Sequence, residues 1–256
     1  MGFIAVSSEK HREFGYAAKQ PFKFAAMLDF LPLSYEEITK LNGLFPICFR
    51  HVSGRIEFGI PTHFIAANNA LVHPGNGKFL LPYVPAVLRR YPFQLAKLSD
   101  GKMSLVVAEE ADFAKHHGDA IVDAQGALTA KGKQLQEFLV KLNARFEQMQ
   151  KALQLLAKLQ LFKPIRFELP ETVDVPARAD LLQIDEQKLN ALSAQDLLEL
   201  RDAGALPLIY SNLLNAHLLP RLSQAVEVFA KLNQGVKAEV DLQKMFDDDD
   251  TDVLKF

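Results

Sequence analysis

Tyr83-Val84-Pro85-Ala86-Val87-Leu88-Arg89-Arg90-Tyr91-Pro92-Phe93 encloses one or two helical turns between two prolines. A proline is accepted in the first turn of a helix and stops one further along, because its ring fixes φ and it lacks an N–H. Pro85 is therefore expected to start a short helix and Pro92 to end it. The residues on either side favour strands, so the stretch joins two strand-rich segments. The fold class this implies is α+β, with an N-terminal, mostly antiparallel β-meander carrying short helices.

Upstream, residues 1–32 are irregular, with short apolar pieces at Phe3-Ile4-Ala5-Val6 and Phe24-Ala25-Ala26-Met27-Leu28. Ser34 offers an N-cap, with Glu36 and Glu37 in the first turn and Asn42-Gly43 as the stop. Phe45 to Arg50 and Arg55 to Ile60 read as a hairpin turning at His51-Val52-Ser53-Gly54. His63 to Ala67 and Ala70 to Val72 are expected to continue the sheet, and His73-Pro74-Gly75-Asn76-Gly77 to turn into Lys78-Phe79-Leu80-Leu81. Beyond Pro92, Phe93 to Leu98 and Met103 to Ala108 flank Ser99-Asp100-Gly101-Lys102, a strong hairpin signal. About five to seven strands are expected.

From Thr129 the period changes. Leu135, Phe138, Leu139, Leu142, Phe146, Met149, Leu153, Leu156 and Leu159 step by three or four, which predicts an amphipathic helix over 130–160, about 46 Å long and ended by Pro164. Residues 165–184 read as extended. Asp185 and Ser193 cap two short helices, the second closed by Gly204. Two more, 206–219 and 222–232, are separated by Pro220. The domain reading is a strand-rich half, 1–128, with a helical half, 129–234, packed on it as one compact domain. An acidic tail, 235–256, is expected to be disordered.

The chain has 256 residues, of which 49% are hydrophobic and 23% charged, an ordinary globular composition. Residues 241–256 carry six acidic and two basic side chains, a charge of −4, so the formal −2 of the whole leaves +2 elsewhere. That is no footprint for nucleic acid. Cys48 is the single cysteine and lies in an apolar run, as a buried structural thiol does. No apolar run approaches a membrane span. Met1 to Lys10 lacks the pattern of a secretory signal, so the expected compartment is the cytoplasm.

Over about residues 5–225 the chain resembles the bacterial SapC family. The stretch from Tyr83 to Phe93 is the hallmark. Val6-Ser7-Ser8-Glu9-Lys10-His11, Phe45-Pro46-Ile47-Cys48-Phe49, residues 184–192 and Leu208-Ile209-Tyr210-Ser211-Asn212-Leu213 support it. Family members often carry Ala-His where this chain has Ser211-Asn212. The family is named for a surface-array (S-layer) locus, and its genes lie near flavin-dependent halogenases and TonB-dependent receptors. The resemblance thus implies an envelope or uptake context and no defined reaction.

For ligand binding the first candidates are Arg89 and Arg90, since an arginine fork takes carboxylate or phosphate bidentately and stacks on rings such as Tyr83 and Tyr91. Adjacent helical positions point about 100° apart, so at most one is expected to face a pocket. The structural alternative pairs one with Glu36 or Glu37 and leaves the other in solvent. His63, Asn68, Asn69 and His73 form a second group that suits a polar ligand, or equally caps the sheet. Glu109, Glu110, Asp112, His116, His117 and Asp119 include an i, i+4 Asp-His pair at metal-ligand spacing, but a solvated loop is the expected reading, with no metal and no cofactor. Gly75-Asn76-Gly77-Lys78 fails the phosphate-loop pattern at Val72 and Phe79, and no nucleophile motif is present.

The function expected is a bacterial binding or accessory protein, not an enzyme, recognising a peptide or anionic small molecule and serving a protein partner in an envelope or uptake system. The alternative is an enzyme, or the partner of an oxidative, halogenase-type enzyme, with the histidines as its site. A homo-oligomer built on the long helix is a third reading.

Overall fold

The structure is a computed structural model that describes residues 2–11, 15–16, 21–97, 103–109, 118–167 and 178–247. β1 (Phe3–Ala5), α1 (Ser8–His11) and β2 (Gly15–Tyr16) come first, then a 3-10 turn at Phe22–Ala25 and β3 (Phe30–Pro32). α2 (Tyr35–Leu41) follows its Ser34 cap, and Gly43, at φ 78°, turns the chain away. β4 (Cys48–Val52) and β5 (Arg55–Pro61) form the expected hairpin, whose turn residues Ser53 and Gly54 both have positive φ. α3 (Ala86–Arg89) is the proline-bracketed helix, with Pro85 at its N-cap and a cis bond between Tyr91 and Pro92. It leads into β6 (Phe93–Lys97), which pairs with β7 (Met103–Ala108). The turn expected between them lies outside the described residues.

After β8 (Asp119–Ala120), α4 (Ala130–Lys158) runs unbroken for 29 residues, about 44 Å. Its cap, Thr129, accepts from the Gly132 N–H through its hydroxyl. β9 (Phe162–Pro164), β10 (Leu181–Ile184), α5 (Glu186–Asn190), α6 (Ala194–Asp202), α7 (Leu206–Asn215) and α8 (Leu219–Asp247) complete the chain. Asp185 and Ser193 cap α5 and α6 as the sequence predicts, and Gly204, at φ 72°, closes α6.

All strand pairs among the described residues are antiparallel. β1-β7-β6 form one sheet, β3-β5-β4-β10-β9 a second and β2-β8 a third. Two strands of the five-stranded sheet thus come from the later part of the chain. The larger core cluster joins that sheet to α2, α6, α7 and the second half of α4, through Met149, Ala152, Leu153 and Leu156. A smaller cluster joins the three-stranded sheet to the first half of α4, through Leu139 and the flanking Leu135 and Phe138. α4 therefore spans both sheets, and α3 connects them. Leu139, Leu142, Met149, Leu153 and Leu156 of the apolar stripe of α4 are buried, while Leu135, Phe138 and Phe146 are half-buried.

Several local expectations give way. Residues 63–67 and 70–72 form no strand and make only one bridge, Val72 to Phe79. Side chains take the backbone groups that a ladder would use. Thr62 donates to Leu28 O, Asn69 donates to Ala25 O and accepts from Leu71 N, and Ala67 sits at φ 57°. α4 ends before Pro164, which lies in β9; Gln160, at φ 53°, turns the chain there. Pro220 breaks nothing because it occupies the first turn of α8, where its missing N–H has no helical partner to lose. α8 continues past Gly235 to Asp247, where a disordered tail was expected.

Candidate functional site

α3 is too short to hold its own position, and Glu37 fixes it. This carboxylate is 2% exposed. Oε2 accepts from the Ser34 N–H and hydroxyl at 2.9 Å, closing the start of α2. Oε1 accepts from the Ala86 N–H at 2.6 Å and the Tyr83 hydroxyl at 3.1 Å, binding the first turn of α3 to α2. Burial, and then the nearby Glu37 carboxylate, push the Tyr83 phenol above its ordinary pKa. Glu36 pairs instead with Arg145 at 2.7 Å. Neither acid takes an arginine of the 89–90 pair.

The two arginines have different surroundings. Arg89 is exposed, lies over the Tyr83 ring at 5.7 Å, and donates to the Val84 carbonyl and Tyr83 hydroxyl, each at 3.1 Å. It borders a cavity of about 350 Å³ with Phe22, Lys131 and Phe138. Arg90 turns inward. Its guanidinium has no hydrogen-bond, ion-pair or ring partner among the described residues, and burial pushes its pKa below the usual arginine value.

Arg90 is shared by two cavities at the seam between the sheets. One, of about 330 Å³, lies between β5, α3 and α4 and presents Arg55, Glu57, Asn143, Glu147 and Gln150 beside apolar groups. The other, of about 290 Å³, is walled by Phe24, Phe30, Tyr91 and Phe93 with leucines and prolines, and holds Arg50 and Gln94. Tyr91 and Phe24 are stacked, with centroids 3.6 Å apart and planes within 7°.

Arg50 shows what a satisfied arginine looks like in this protein. It donates to Asp29 at 2.8 Å and to Glu57 at 2.6 and 3.1 Å, and covers the Phe30 ring at 4.7 Å. Arg178 binds Asp180 with two nitrogens, at 2.7 and 2.6 Å. Its third nitrogen lies 3.2 Å from Asp29, an ion-pair distance without hydrogen-bond alignment. Two cations thus meet three acids, which links β3, β4, β5 and the approach to β10. Beside them Cys48 is buried, and burial raises its thiol far above the nucleophilic range.

His63, Asn68, Asn69 and His73 do not join Arg90. Nδ1 of His63 accepts from the Ile65 N–H at 2.9 Å, and Nδ1 of His73 from the Gly75 N–H at 3.1 Å. Asn68 donates to the Ala66 carbonyl. Together with Asn69 they shape the 62–79 loop. Of the predicted group, Tyr83 and Arg89 are partnered to each other, while Arg90 and Tyr91 share a cavity. Asp112, His116, His117 and Glu110 lie outside the described residues, and no metal-binding cluster occurs among those described. Sequence reasoning missed Phe24, Phe30, Arg50, Gln150 and the Asp29–Arg178–Asp180 group. Only the apolar run 24–28 signalled any of them.

The SapC family model matches residues 6–222. The chain belongs to the SapC family. Comparison with curated proteins and with solved structures gives no match. Asn212 accepts from the Ile184 N–H and donates to the Ile47 carbonyl, both at 2.8 Å, tying α7 to the strand-rich part. Among the described residues no helix is long and apolar enough to cross a membrane.

Proposed function

We propose that this SapC-family protein is a non-catalytic binding or accessory protein of the bacterial cytoplasm, serving an envelope- or uptake-linked system such as a surface array. It recognises an anionic small molecule, or a carboxylate of a peptide, at Arg90. The observation that supports this reading is an arginine largely withdrawn from water, without a counterion among the described residues, opening on two cavities. Holding a charge in that state is unfavourable, and a ligand carboxylate that forks onto the guanidinium relieves it. The ion-paired Arg50 and Arg178 nearby lack this capacity.

The enzyme alternative draws no support from His63 or His73, whose Nδ1 atoms are engaged by backbone N–H groups. The test is calorimetric titration of the full chain with a panel of carboxylates and short peptides, repeated on Arg90→Met, Arg90→Lys and Arg89→Met. Binding at least tenfold weaker in Arg90→Met, partly restored in Arg90→Lys and unchanged in Arg89→Met is expected. Equal binding by the native chain and Arg90→Met removes the proposal.

A further inference from the structure

Resting on that binding role, we infer that the ligand at Arg90 is a small aromatic monocarboxylate, its carboxylate on the guanidinium and its ring among Phe24, Phe30, Tyr91 and Phe93. Charge sets the first part of this choice. In the aromatic cavity Arg50 is committed to Asp29, Glu57 and the Phe30 face, so among the described residues Arg90 supplies the single open cation. One open cation matches one carboxylate. A second carboxylate reaching into the neighbouring cavity would meet two acids, Glu57 and Glu147, against one cation, Arg55.

Size and wall chemistry set the rest. About 290 Å³ is at the small end of ligand sites and suits one ring on a short tether. Five of the thirteen lining residues are aromatic and five more are aliphatic or proline, and ring-on-ring contact adds to simple apolar burial. The stacked Phe24–Tyr91 pair closes one side, since both residues also border the cavity next to Arg89. Gln94 and the Tyr91 hydroxyl are the remaining polar groups of the lining among the described residues. A phosphate or sugar there would find too few donors and acceptors.

The test is calorimetry on the full chain with phenylacetate, 3-phenylpropionate, cyclohexylacetate, succinate and the neutral phenylacetamide. An aryl carboxylate binding at least tenfold tighter than cyclohexylacetate, succinate and phenylacetamide, and at least tenfold weaker to Arg90→Met, supports the inference. Cyclohexylacetate or succinate binding as well, still dependent on Arg90, overturns the ring preference and leaves the anion site standing. Phenylacetamide equal to phenylacetate, or no binding by any probe, overturns this inference; an affinity unchanged in Arg90→Met removes the anion site as well. The phenylacetamide comparison uses the native chain, so it decides even if Arg90→Met folds poorly.

Discussion

Glu37, buried, and Arg90, half-buried, show how two charges in one region come to different ends. Glu37 has four donors and is structural. Its removal in Glu37→Ala leaves the Ser34 and Ala86 N–H groups unpaired, at a cost of about 3 kcal/mol or more. The melting temperature is expected to fall by about 6–12 °C, and that of Tyr83→Phe by about 2–4 °C, in thermal unfolding followed by circular dichroism. His63 makes a different prediction. Burial, and then the positive charge of Arg178, lower its pKa, and its Nδ1 must stay unprotonated to accept from Ile65. The unfolded chain therefore takes up the proton first, so stability is full above the ordinary histidine pKa of about 6.5 and declines as pH falls below it. His11, lowered by burial, acts in the same direction. Urea unfolding between pH 5 and 8 should show this decline, and His63→Gln should flatten it; an equally steep decline in the variant would exclude His63 as its source.

Elements were legible where a local signal carried them. Period fixed α4, caps fixed α2, α5 and α6, and Pro85 and Pro92 fixed α3. The 63–79 loop was not legible, because Asn69 and Thr62 reach carbonyls at Ala25 and Leu28, which no local pattern announces. The inward turn of Arg90 followed from helical geometry only in part; its lack of a partner depends on Asp29, Glu57 and Asp180 being taken by other arginines. Gly132 is a further case. In an exposed helix Gly→Ala gains about 1 kcal/mol. Here a Cβ would lie 2.3 Å from the Ile121 carbonyl oxygen, so overpacking of about 1–3 kcal/mol dominates. Gly132→Ala is expected to lower the urea midpoint, and a raised midpoint would show that α4 can shift away from residue 121.

At the scale of the molecule, α4 is the member common to both cores, and the Arg90 cavities lie where it crosses the seam. Phe146 and Gln150 wall one of them, and Gln150 also donates to the Ile56 carbonyl at 3.2 Å. A strand-rich first part followed by a helical later part is the order of the elements along the chain. It does not describe the five-stranded sheet, in which β10 lies beside β4 and Leu181 faces Arg50 across the ladder. Strand pairing across such a separation leaves no mark on periodicity, and so it could not be read in advance.

That insertion has a consequence for how the protein is made. On the ribosome β4 and β5 emerge early, but the free edge of β4 has no neighbour until the nascent chain has grown past Ile184. Through that interval an apolar strand edge is open to other chains, the circumstance that leads to misassociation. A chain arrested at residue 160 should collect in the insoluble fraction or bound to chaperones, and one arrested at 236 should be released soluble.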